Sequence, residues 1–232
     1  MSDDTSFDDG DLDALVGRVD PERWLSSRFI AEPQVRADVI ALYAFDHQLA
    51  RAPKVASNPL LGEIRLTWWR EALDEIFEGR RVRQHPTALA LAEAVRRRSL
   101  PREPLEAMID ARYRELDAEP MTLAEALEWA SGTGGNAAVV AALILDPKTD
   151  RAAATAGGQA WAIGRLMGTA GLQGPEAEAA LSDALARARG LSVAAFPAIA
   201  HARLARDRAR GRKPSDLRAR LRVFLAVLTG RV

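Results

Sequence analysis

The 232-residue chain has no cysteine, only two tyrosines and three histidines, no net charge, and no uninterrupted apolar stretch that approaches a membrane span. Zero cysteines exclude disulfides, thiolate metal sites, iron–sulfur clusters and a cysteine nucleophile together, and fit a reducing compartment. The histidines, His47, His85 and His201, form no His-x-x-x-His pair, and no Gly-x-Ser-x-Gly elbow or phosphate-binding glycine loop occurs. His85 stands before Pro86, where a turn is the simple explanation. With 32 basic residues against 32 acidic ones, nothing global calls for a nucleic-acid partner. The opening "MSDDTSFDDGDLD" is acidic and has no basic region followed by an apolar run, so it does not read as a secretory signal. The expected setting is the cytoplasm, with peripheral contact at the inner face of a membrane left open.

What is present is helical. Hydrophobic residues make up 48% of the chain, and Ala and Leu recur with few Val or Ile runs, which favours helices over strands. The apolar period predicts helices near 11–30, 34–51, 59–78, 87–98, 102–118, 122–145, 150–170, 175–190, 192–210 and 215–229, with breaks at Pro, Gly and Asn. Pro33 and Pro59 suit first turns, Thr122 and Glu125 form a capping box, and Ser215 or Asp216 caps the last helix. No βαβ pattern, repeat or dividing linker is visible. The reading is an acidic, partly disordered segment over 1–19 followed by a single all-α helical bundle over 20–232.

In "GEIRLTWWREALDEIFEG", Leu66, Trp69, Leu73, Ile76 and Phe77 fall on one face, and of the adjacent Trp68 and Trp69 one is expected in the core and the other at its edge. Glu71, Asp74, Glu75 and Glu78 are spaced closely enough to hold a divalent cation. The simpler expectation is pairing with Arg65, Arg70, Arg80 and Arg81. The glycines of "SGTGGN", Ser131 to Asn136, suit close helix packing or approach to a ligand.

The segments "RFIAEPQVRADVIALYAFDHQLAR", "NPLLGEIRLTWWREALDEIFEG", "HPTALALAEAV", "GGQAWAIGRL" and "AAFPAI" resemble, in this order, the squalene and phytoene synthase family of the trans-isoprenoid synthases. The match runs from about Asp20 to Arg165 and more loosely to the C-terminus. Within that family it resembles the divergent branch that includes a mitochondrial assembly factor for respiratory complex I. The resemblance implies an all-α isoprenoid-synthase-type bundle, here shortened toward its C-terminus, since the chain passes quickly from Gly174 to Ala195.

It also implies two acidic motifs on facing helices, which hold Mg²⁺ and through it an allylic diphosphate. This chain departs from both. The carboxylate positions of the first motif fall on Ala50, Arg51 and Lys54, and those of the second on Thr169 and Gln173. Pro53 is expected to end or kink its helix near Arg51. Asp46 and His47 remain as isolated ligand candidates without the second carboxylate that a hard cation requires. No catalytic residue, metal or cofactor is therefore expected.

Three functions stay open: a non-catalytic protein acting by binding, linked by resemblance to respiratory complex assembly; an isoprenoid- or lipid-binding module; and an active prenyltransferase with ligands recruited from Glu63, Glu71, Asp74 or Glu75. Charge adds a further expectation. Residues 1–20 hold seven acids against Arg18, whereas residues 185–232 hold twelve Lys or Arg against Asp207 and Asp216. Arg203, Arg206 and Arg210 are spaced to share a helix face, with Leu204, Leu221, Phe224, Leu225 and Leu228 expected to anchor inward. Together with Arg51, Lys54 and Arg165 they form a candidate anion-binding surface, for an anionic membrane or a protein partner.

Overall fold

The computed structural model describes residues 11–54, 58–169 and 172–232. The chain starts with two short helices, α1 (Leu12–Val19) and α2 (Pro21–Ser27), divided at Asp20 and Pro21. Asp11 caps α1 by accepting from the Ala14 N–H, and Asp20 caps α2 by accepting from the Arg23 N–H. Leu15 and Val16 of α1 are buried, so the part of the acidic segment from Asp11 onward is an ordered helix rather than a tail. Its residues 1–10 lie outside the described residues.

Helix α3 (Pro33–Lys54) is the spine, buried on nearly every side from Asp38 to Asp46. It packs against α1, α4 (Pro59–Phe77), α5 (Pro86–Arg98), α6 (Arg102–Tyr113) and α8 (Asn136–Leu145). Its helical conformation runs through Lys54 with Pro53 inside it, three residues beyond the break expected at Arg51. Placed in the last turn, Pro53 forfeits one backbone hydrogen bond without interrupting the packed part of the helix. Asp38, buried on α3, accepts from Arg98 Nε at 2.7 Å and also pairs with Arg97, which pins the end of α5 to the spine.

On α4, Leu66, Trp69 and Leu73 are buried while Trp68 lies at the edge. The acids toward the end of this helix are neutralised by arginines outside it, of which only Arg80 is among the expected Arg65, Arg70, Arg80 and Arg81. Glu71 and Glu75 pair with Arg83, Asp74 pairs with Arg102, and Glu78 pairs with Arg80.

Helices α7 (Leu123–Ala130) and α8 are one rod interrupted by a π-helical turn, Ser131–Gly135. This turn crosses α9 (Arg151–Thr169) at glycines. A Cβ on Gly134 would stand 2.6 Å from the Gly158 carbonyl oxygen, so the crossing brings backbone against backbone. The glycines of "SGTGGN" thus serve helix packing.

After α10 (Pro175–Arg187) the chain becomes irregular. The single helix expected over 192–210 is two 3-10 turns, Phe196–Ala198 and Ala200–Leu204, and a five-residue α11 (Ala205–Ala209). Arg203, Arg206 and Arg210 are exposed but spread over these pieces, so they do not share one rigid helix face. The last helix, α12 (Asp216–Thr229), buries Val223 and Ala226. Leu221, Phe224, Leu225 and Leu228, expected to anchor inward, are exposed instead. Only Leu204 of that expected set is in the core.

Candidate functional site

A cavity of about 540 Å³ lies among α3, α6, α9 and the π-helical turn, with the α1–α2 junction at one side. Both long helices present rows to it at spacings of four. From α3 come Asp46, Ala50 and Lys54, with His47 and Arg51 beside them. From α9 come Trp161, Arg165 and Thr169, with Leu166 adding apolar wall.

The floor is a closed ionic network. Asp46 receives Arg23 Nη1 on one oxygen at 2.5 Å and Arg112 Nη2 on the other at 2.8 Å. Arg112 also donates to Glu115 at 2.6 Å, and Glu115 accepts from Trp129 Nε1 at 2.9 Å. Burial alone pushes the Asp46 carboxyl up. The charges of Arg112 and Arg23 and their hydrogen bonds outweigh it and hold Asp46 well below the usual carboxylate range. The Arg23 guanidinium lies over the Trp161 ring, 4.0 Å from its centroid, and Arg165 covers the same ring at 4.5 Å. Trp161 Nε1 in turn donates to Glu22 at 3.0 Å, and Glu22 pairs with Arg208. Behind it His201 stands edge-on to the indole at 5.4 Å.

The rim is cationic. Arg51 and Lys54 have no ion pair among the described residues, and Arg165 only a loose one with Asp20 at 3.8 Å. Burial, then the Arg51 charge, keeps the His47 imidazole below its ordinary pKa, so it adds no positive charge near neutral pH.

Ala50, Arg51, Lys54, Thr169 and Arg165 are therefore brought together in one cavity. Gln173 is not, because α9 ends at Thr169 and Gln173 lies beyond it in a connecting stretch. Arg203, Arg206 and Arg210 do not line the cavity either. Magnesium, which the resemblance implies, does not fit this residue set. Alanine and threonine stand where paired carboxylates are needed, two cations face the same space, and both oxygens of Asp46 are taken by arginines. Among the described residues no three His, Asp or Glu side chains gather into a group that could hold a metal ion.

Arg23, Arg112, Glu115 and Trp161 were not foreseen as site residues. A local signal existed for Arg112, a charge in line with Leu105, Met108 and Ile109, but not for Arg23, which shares α2 with buried Glu22, Ser26 and Ser27. Their common partner, Asp46, is 23 and 66 residues away in sequence.

A family model for squalene/phytoene synthase matches residues 16–172. The chain belongs to the squalene/phytoene synthase family. Among curated relatives, the protein named NADH dehydrogenase (ubiquinone) complex I, assembly factor 6, from Bos taurus is 32% identical over 103 residues, covering 44% of this chain and 30% of that protein. The Homo sapiens protein of the same name is 30% identical over 103 residues, with the same coverage. The match thus spans less than a third of the length of these relatives. Among solved structures, a dehydrosqualene synthase superposes with a TM-score of 0.75 over 94% of both chains at 12% identity. The squalene synthase HpnC from Alicyclobacillus acidocaldarius gives 0.59 over 96% of this chain and 94% of its own, at 16% identity. At such identities the likeness is one of fold, and the all-α isoprenoid-synthase bundle is that fold. Among the described residues no helix is long and apolar enough to cross a membrane.

Proposed function

We propose that this protein is a non-catalytic squalene/phytoene synthase-like protein that acts by binding, and that its partners belong to the assembly of a respiratory NADH dehydrogenase. One observation carries the first half: α3 and α9 direct Ala50, Arg51, Lys54 and Thr169 into the cavity, at positions where the family resemblance calls for carboxylates. At an effective dielectric of about 20, unit charges about 4 Å apart interact by about 4 kcal/mol, and a divalent ion doubles this, so a rim of Arg51 and Lys54 repels Mg²⁺ strongly. Glu63, Glu71, Asp74 and Glu75, the acids open to recruitment by a prenyltransferase in the sequence, do not line the cavity. Glu71, Asp74 and Glu75 are engaged by Arg83 and Arg102, and Glu63 is exposed on α4.

The assembly role is supported by the names of the matched relatives, which are assembly factors at 30% identity or more over about 100 residues. A second reading, an isoprenoid- or lipid-binding module, is favoured by the survival of a cavity with an aromatic and apolar wall at Trp129, Trp161, Met121 and Leu166.

Calorimetric titration with farnesyl diphosphate, with and without Mg²⁺, tests the first half. The expected result is no Mg²⁺-dependent binding; turnover to a head-to-head condensed product would end the proposal. Purifying the tagged protein from its host, and identifying proteins and extractable lipids in the same preparation, tests the second. NADH dehydrogenase subunits or their assembly intermediates are expected. Recovery of a stoichiometric isoprenoid without such subunits would favour the second reading.

A further inference from the structure

Helix α12 carries its large apolar side chains on the side opposite the core. Val223 and Ala226 face inward, while Leu217 is 78% exposed, Leu221 56%, Phe224 49%, Leu225 44% and Leu228 69%. At about 100° per residue these five fall on one stripe, and from Leu217 to Leu228 it runs roughly 16 Å along the helix. Phe29 of the α2 end adds its ring 6.4 Å from that of Phe224. Scattered exposed apolar side chains need no explanation, but five aligned on one helix do.

Cations border the stripe on both sides. Arg218 and Arg222 fall along one edge and Arg220 along the other, by the same angular spacing. Arg222 is paired with Asp207, whereas Arg218 and Arg220 have no ion pair among the described residues. Ahead of the helix, Arg210, Arg212 and Lys213 are exposed. From residue 203 to the end, ten Lys or Arg stand against two acids, one of which, Asp207, is buried.

Charge complementarity selects the occupant. A second copy docked through the same stripe would bring arginines against arginines along both edges. A flat anionic surface instead takes the apolar stripe inward and meets cations on both sides at headgroup level, the composition of an interfacial helix. We propose that α12 is a peripheral membrane anchor, laying Leu221, Phe224 and Leu228 into the headgroup boundary of an anionic bilayer while Arg218 and Arg220 contact lipid phosphates. The proposal is independent of what the cavity binds.

Flotation of the full chain with vesicles of phosphatidylglycerol and phosphatidylcholine, against phosphatidylcholine alone, is the test. The chain is expected to float with the anionic vesicles only, and less as salt rises from about 0.05 to 0.5 M, where screening shortens the reach of the arginines. Two variants separate the contributions: L221E/F224E/L228E removes the stripe, and R218E/R220E leaves it intact but reverses its borders. Each is expected to weaken binding by about tenfold or more, with unchanged circular dichroism because the substituted side chains lie on the outer face of α12. Absence of flotation by the wild-type chain, or equal flotation of correctly folded variants, overturns the proposal. So does a wild-type dimer in solution that L221E/F224E/L228E converts to monomer, which would assign the face to a second copy.

Discussion

Asp46 illustrates what a single position does and does not disclose. Its sequence neighbours "ALYAFDHQLA" mark it as a charge inside an apolar stretch of helix, which points to a buried role. Whether that role is to hold a metal or to hold an ion pair depends on Arg23 and Arg112, which only tertiary packing brings to it. Replacing Asp46 by Asn leaves two buried guanidinium groups facing a neutral partner. Breaking a buried pair in this way costs about 3–5 kcal/mol, and for a chain of this size Tm should fall roughly 2–4 °C per kcal/mol. Because Asp46 is held below its unfolded value of about 3.9, its contribution is full above that pH and is lost as pH falls through the lower range. Denaturant titrations of wild type and D46N should therefore converge at acid pH. An equal gap at pH 3 and pH 7 would show that folding does not shift the Asp46 pKa.

His201 makes a linkage of the same sign at higher pH, from a group kept neutral rather than charged. Burial first, then the charges of Arg23 and Arg165, hold its imidazole neutral and well below its usual pKa. The unfolded chain takes up that proton near pH 6.5, so the folded state loses relative stability as pH drops below it. Its Nδ1 is buried without a hydrogen-bond partner among the described residues. Phe in its place keeps an aromatic edge against Trp161 and cannot titrate. Stability of H201F is expected to vary less than that of wild type between about pH 6.5 and 5; identical slopes would remove His201 as the cause.

Helices were legible from the sequence because apolar spacing and caps are local signals. The Thr122–Glu125 capping box, for example, is present with both of its hydrogen bonds. Less legible was which way a helix turns once two of its faces are apolar. On α12 the small Ala219, Val223 and Ala226 form one face and the large leucines and Phe224 the other. Hydrophobicity alone favours burying the larger set, but the surface offered by the 3-10 turn Ala200–Leu204 is contacted by the smaller one. The π-helical turn was equally hidden, since glycine content announces close approach without naming what approaches. Gly158→Ala tests that crossing. Alanine is the better helix former by about 1 kcal/mol, yet its Cβ would collide with the Gly134 carbonyl oxygen, which has backbone on both sides and little room to move. Overpacking of this kind costs about 1–3 kcal/mol, so a net loss of stability is expected in chemical denaturation. A gain would mean that α9 and the π-helical turn separate easily.

Across the whole molecule, the order of segments made the bundle readable, and helical spacing made it readable that Ala50, Arg51 and Lys54 lie near one another, while the network beneath them was not. Cations at Arg51 and Lys54 also suit the helix that bears them. Arg51 and Lys54 occupy the last turn of α3, where positive charge is favoured by the helix dipole. Placing acids there should therefore be costly in the absence of a metal. In A50D/R51D/K54D/T169D four carboxylates replace two cations and two neutral side chains, three of them crowded into the C-terminal turns of α3. A lower Tm than wild type is expected in chelator, from like-charge repulsion and the unfavourable end of the dipole. A ligand that binds only the folded state raises stability in proportion to RT ln(1 + [L]/Kd). Millimolar Mg²⁺ should accordingly recover part of the loss in the variant and leave the wild-type melting curve unchanged. The comparison is internal, since both proteins share Asp46, Glu115 and the rest of the cavity. An equal Mg²⁺ response in the two would mean that a metal is held by groups other than these four positions, and the reading of the rim as a cationic, metal-repelling surface would fail.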